Sequence, residues 1–62
     1  MGSKYEKTIY ELLGNDPVTA SEIARRVGVS YKTAQQVLLY LAASRKDVAY
    51  RNSGRIYLFW KK

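Results

Sequence analysis

Apolar positions recur every three or four residues over 4–13, 19–27 and 31–44, then alternate with polar ones over 48–60. The first spacing is that of a helix and the second that of a strand, so three helices followed by a hairpin are predicted. In the first helix Tyr5, Ile9, Leu12 and Leu13 share a face, and Gly14-Asn15-Asp16-Pro17 ends it. Glycine suits the position just past a helix, and proline cannot continue one. Val18 is left as a very short strand. Thr19-Ala20-Ser21-Glu22 reads as a capping box for the second helix, with the Thr hydroxyl on the fourth residue's amide and Glu22 reaching back. Ile23, Ala24 and Val27 form its inner face, with Arg25 and Arg26 outside. Gly28 allows the sharp left-handed exit, Val29 plugs the turn and Ser30 caps the third helix. Along 31–44, Ala34, Val37, Leu38 and Leu41 point inward. Lys32, Gln35, Gln36, Leu39 and Ala43 point out.

The hairpin register follows from the same sorting. Asn52-Ser53-Gly54 makes a three-residue loop, a type I turn closed by a left-handed glycine. Arg51 then faces Arg55, Tyr50 faces Ile56 and Val48 faces Leu58. Strand side chains alternate, so Val48, Tyr50, Ile56, Leu58 and Trp60 are expected inside. Ala49, Arg51, Arg55, Tyr57 and Phe59 are expected outside.

Length and composition narrow the chemistry. A chain of 62 residues is read as a single domain, 1–62. At this size only about 60% of the unfolded surface is buried, so the apolar supply of 47% must be used well. The chain has no cysteine and no histidine. Disulfides, thiolate or imidazole metal sites and the usual general base are therefore absent. No phosphate loop and no clustered carboxylates are present, so no enzyme, no cofactor, no metal and no small-molecule substrate are expected. No apolar run approaches the ~18 residues of a membrane span.

Charge sharpens the picture. Residues 1–29 hold Lys4, Lys7, Arg25 and Arg26 against Glu6, Glu11, Asp16 and Glu22, and cancel. Residues 30–62 hold Lys32, Arg45, Lys46, Arg51, Arg55, Lys61 and Lys62 against Asp47 alone, which is the whole net +6. An excess confined to the third helix and the hairpin points to a polyanionic partner.

Helix, tight turn, helix and basic hairpin is the order of a helix-turn-helix with a wing, which offers its second motif helix to a DNA major groove. The fold class expected is α+β, a winged helix-turn-helix with three helices and a C-terminal hairpin wing. The partner expected is duplex DNA. Tyr31, Lys32, Gln35 and Gln36 would read base edges, with Leu39 against a thymine methyl; glutamine suits adenine, which it can both donate to and accept from. Ser30, Tyr31 and Thr33 stand at a helix start, where hydroxyls and amides suit a phosphate. Arg51 and Arg55 would grip the backbone or a minor groove, and Lys61 and Lys62 would extend the positive surface. About 4–6 phosphate contacts would give a steep salt dependence.

The stretch TASEIARRVGVSYKTAQQVLLYLAASRKDVAYRNSGRIYLFW resembles the winged helix-turn-helix superfamily of small archaeal and bacterial regulators. That resemblance implies transcriptional regulation, in a cytoplasmic nucleoid or a nucleus. YEKTIYELLG, VLLYLA and the aromatic last strand also resemble the scaffold of left-handed Z-nucleic-acid-binding domains. Those domains carry an Asn and a Tyr on the recognition helix, and a Pro and a Trp on the wing. Here Gln35 and Leu39 take the first two positions and the wing tip has no proline. The alternative reading is a protein-interaction winged helix of a replication, transcription or ribosomal assembly. It is motivated by Leu39, Tyr57, Phe59 and Tyr10 as surplus apolar surface. Homodimerisation and RNA binding stay open, while Asp16 and Asp47 read as turn residues.

Overall fold

The computed structural model describes residues 4–62; residues 1–3 of the expected domain lie outside them. The element order is α1 (Glu6–Leu12), β1 (Val18–Thr19), α2 (Ala20–Val27), α3 (Tyr31–Ser44), β2 (Val48–Ser53) and β3 (Ile56–Lys61). The helices pack together and an antiparallel sheet, ordered β1-β3-β2, closes one side. This is the α+β winged-helix architecture expected, with the short strand at Val18.

Local chemistry explains most of the boundaries. Thr19 caps α2 by accepting from the Glu22 amide at 3.2 Å. The reciprocal half of the box is replaced: the Glu22 carboxylate lies 3.5 Å from Arg26 one turn on. Gly28 ends α2 at φ 83°, and its amide and that of Val29 both bond the Ala24 carbonyl. A residue with a Cβ is strained there, which is why the turn needs glycine. Ser30 caps α3 by accepting from the Thr33 amide at 3.2 Å.

Helix α1 is shorter than the pattern suggests. Its N-cap is Tyr5, which offers no side-chain cap, so nothing holds Lys4 in the helix. At its other end Leu13 turns extended, at φ −77° and ψ 139°, and drops into the core. Gly14 is therefore not a left-handed cap. Its carbonyl instead accepts from the Lys61 amide at 2.7 Å and ties α1 to the end of β3.

The core joins the three helices to β2 and β3, with Val18 of β1 packed against it. Ile9, Leu13, Ala20, Ile23, Ala24, Ala34, Val37, Leu38, Leu41, Val48 and Phe59 are buried. Ile9, Ala34, Leu38, Leu41 and Phe59 are wholly inaccessible.

Phe59 overturns the expected hairpin register. Ser53 pairs with Ile56, so the loop is two residues, Gly54-Arg55, and Tyr50 pairs with Phe59 and Arg51 with Leu58. Gly54 takes φ 69° and Arg55 does not take a positive φ. A glycine first and an ordinary residue second is the pattern of a tight II′ hairpin turn, whose twist matches its strands. Relative to a three-residue loop this turns every side chain of β3 to the other face. Phe59 and Tyr57 now face the helices, while Ile56, Leu58 and Trp60 face away. The exchange is favourable at the base of the wing. Phenylalanine fills the core with no polar atom, whereas a buried Trp60 would need a partner for its indole N–H.

Candidate nucleic-acid interface

The exposed surface of α3 is set by what its neighbours cover. Lys32, Gln36 and Tyr40 are exposed, and Tyr31 at the first turn is 48% exposed. Residues four apart lie one above another on a helix, so Lys32, Gln36 and Tyr40 form one continuous stripe. Gln35 and Thr33 are half-buried. Leu39 is half-buried too and packs on the core cluster, which corrects its expected place on the outer face. Sequence reading missed Tyr40. The signal was its four-residue spacing from Gln36, hidden by the reasonable guess that the stripe drifts to 39.

The hydroxyls at the start of α3 are partly occupied. Ser30 Oγ accepts from the Thr33 amide and donates to Thr33 Oγ1 at 2.9 Å. The Ser30 hydroxyl is thus committed to the cap, and the Thr33 hydroxyl keeps its own hydrogen for an outside acceptor. The exposed polar and aromatic groups of this end are Tyr31 and Lys32.

The wing presents its cations at the tip. Arg55 lies in the loop and Arg51 on the outer face of β2, both exposed, so they do not face one another as the longer loop required. Neither has an ion pair or hydrogen bond among the described residues. Behind them the inner face carries an aromatic ladder. The Tyr50 and Tyr57 ring centroids are 6.0 Å apart, and each lies 6.2 Å from Phe59. Tyr50 is 52% exposed although the core was its expected place. Its partner Phe59 lies on the central strand and is covered, whereas Tyr50 lies on the edge strand β2.

The base of the wing is built differently. Tyr10 of α1 donates its hydroxyl hydrogen to the Asp47 carboxylate, across the turn that leads into β2. The Arg45 guanidinium lies 4.3 Å and the Lys61 ammonium 4.4 Å from the Tyr10 ring centroid. Both distances are within cation–π range. Lys61 Nζ also lies 3.4 Å from the Tyr10 carbonyl oxygen. The Lys62 amide bonds the Asp47 carbonyl at 2.6 Å. The hydrogen bond holds the Asp47 carboxyl below its ordinary value, and the charges of Arg45 and Lys61 act the same way. That bond, burial and the Asp47 charge push the Tyr10 hydroxyl up, against Arg45. Asp47 is therefore more than a turn residue, and Lys61 is tied to the scaffold rather than extending the positive surface freely.

The proposed interaction patch of Leu39, Tyr57, Phe59 and Tyr10 does not form. Phe59 is wholly buried, Leu39 and Tyr57 pack on the core, and Tyr10 is tethered to Asp47. Among the described residues no three His, Cys, Asp or Glu side chains could hold a metal ion, and no helix is long and apolar enough to cross a membrane.

Comparison with known families matches residues 3–41 to the DprA winged helix domain. The matched stretch runs from α1 through most of α3 and stops before the wing. No curated protein and no solved structure matches the chain. The matched residues exceed half of the chain, and the fold beyond them completes the same architecture. The chain belongs to the DprA winged helix domain family.

Proposed function

We propose that this domain binds duplex DNA, with α3 in the major groove and the wing tip on the backbone or in the adjacent minor groove. The observation that carries the reading is the pairing of two exposed features. One is the stripe Lys32, Gln36 and Tyr40 with Tyr31 at the first turn of α3; the other is Arg51 and Arg55, which have no internal partner. A helix enters a major groove with its first turns against the bases, so Tyr31, Lys32, Gln35 and Gln36 are the reading residues and Leu39 a flank. Ser30 and Thr33 set the helix start near a phosphate. Lys32, Arg51 and Arg55 supply about three phosphate contacts, for a salt slope near −3. The biological setting we infer is gene regulation at DNA, in a nucleoid or nucleus, without catalysis or cofactor.

A fluorescence anisotropy titration with a random-sequence duplex at low salt tests this. Binding that weakens in proportion to the logarithm of salt supports it. Absence of binding at low salt ends it, and leaves a protein-binding module as the reading, with the half-buried outer sheet face at Leu58 and Trp60 as its surface.

A further inference from the structure

Among the described residues, four large apolar side chains are exposed: Tyr31, Tyr40, Tyr50 and Ile56. Ile56 is the one with no polar atom, and its position is unusual. It opens β3 directly after the Gly54-Arg55 loop and is 52% exposed. It belongs neither to the core nor to the side chains packed against it. Its strand partner is Ser53, too small to cover it. Truncating it leaves the core cluster intact.

Its surroundings point to a polyanion. Arg55 precedes it and Arg51 stands exposed on the neighbouring strand, both without partners. No residue of β1, β2 or β3 is acidic. Ile56 also borders one shallow groove together with Tyr31, Tyr57, Thr19, Ala20 and Ser21. The wing tip therefore stands beside the first turn of α3, the end that enters a major groove. A two-residue loop with its glycine at φ 69° makes the tip narrow, and a β-branched side chain has little rotamer freedom to lose on insertion.

We propose that Ile56 is a wedge, which Arg51 and Arg55 bring into the minor groove beside the α3 site, where it enters a base step and bends the duplex. The proposal rests on the duplex-binding reading and adds a consequence that reading does not require. Apolar side chains inserted between bases unstack the step and kink DNA by about 20–90° toward the major groove. Pyrimidine–purine steps such as TA open most easily, and A-tracts resist.

The test uses a duplex of about 30 base pairs carrying a central TA step and a fluorophore at each end. Anisotropy reports binding, and energy transfer between the ends reports bending. The wild-type chain should bind and raise the transfer at saturation. Ile56→Thr keeps the β-branch and the strand preference, so its melting temperature should match. It should bind within about threefold of wild type, with the rise in transfer lost. Ile56→Leu should restore the rise. Replacing the TA step by an A-tract should weaken wild-type binding several-fold and leave Ile56→Thr little changed. Binding with no rise in transfer overturns the wedge and spares the duplex reading, as does an Ile56→Thr complex as bent as the wild type. No binding in the anisotropy channel overturns both.

Discussion

The wing carries two pairs of cations with opposite fates. At the tip, Arg51 and Arg55 are exposed and have no partner within the fold. At the base, Arg45 and Lys61 lie over one tyrosine ring, beside a carboxylate that the same tyrosine engages. Along the strands Arg55 stands about 20 Å from Lys61, and Arg51, opposite Leu58, about 10 Å, at ~3.3 Å per residue. Their formal charges are the same, yet only the tip pair is free to meet a phosphate without giving up contacts. The base pair contributes to anchoring the wing. A net charge of +6 therefore overstates the DNA footprint; a phosphate contact needs a cation that is charged and unoccupied.

The sharpest way to break the contrast is to remove the buried root of the wing. Phe59 is wholly buried where β3 meets the helices. Phe59→Ala should cost about 3–5 kcal/mol. A chain of this length has about 3–9 kcal/mol of stability in all, so the variant should lose from about a third of it to all of it. Trp60→Ala, one residue further on the opposite, half-buried face, should cost about 1 kcal/mol. Urea unfolding of the two variants checks the register directly: the three-residue loop predicts the opposite ranking.

The next effect separates the pairs by function. Arg51→Ala/Arg55→Ala should lower duplex affinity on the order of tenfold or more at 0.1 M salt and reduce the salt slope by about 2. Its melting temperature should stay within a degree or so, because both side chains are exposed and neither makes an ion pair or ring contact within the fold. Arg45→Ala should do the reverse: a melting point lower by several degrees and a salt slope unchanged. An equal loss of slope from Arg45→Ala would erase the distinction between tip and base. A smaller effect tests the stripe on α3. Gln36→Ala and Tyr40→Ala should alter preference among duplex sequences by several-fold, a base-contact effect of about 1–3 kcal/mol. Ala43→Ser, beyond the stripe, should alter nothing.

What the sequence disclosed and what it hid divide along the same line. The cap at Thr19, the glycine turn at Gly28, the cap at Ser30 and the inner face Ala34-Val37-Leu38-Leu41 are local, and each is decided by residues within one helical turn. They were legible. The face of β3 depends on whether the loop is Asn52-Ser53-Gly54 or Gly54-Arg55, both plausible turns with glycine at a positive φ. Pairing with β1 and the burial of Phe59 in the core decide it, and no local pattern carries those. Leu39 and Tyr40 differ by one helical position, and which of them is exposed depends on the packing around α3. The tie between Tyr10 and Asp47 spans 37 residues. The candidate site was thus legible at α3 and in outline at the wing, and the wing's anchoring was not.

The smallest predicted effect probes the base pair without touching its cations. The Asp47 carboxyl is held below its ordinary value of 3.8, first by the Tyr10 hydroxyl and then by nearby positive charge. A depressed carboxyl stabilises the fold above its unfolded value, and that stability drains as pH falls through the lower folded value. The Tyr10 hydroxyl is raised above 10.0. Its contribution is present below that value and lost as pH climbs past the folded one. The melting temperature should therefore be flat from about pH 5 to 9, and fall at both ends. Tyr10→Phe keeps the ring beneath Arg45 and Lys61 and removes only the hydroxyl. It should lower the plateau by a few degrees, remove the alkaline fall that Tyr10 supplies and soften the acid one. If its pH profile instead runs parallel to that of the wild type at both ends, the hydrogen bond between Tyr10 and Asp47 contributes nothing to holding the wing. The two cations over the ring would then anchor the base alone.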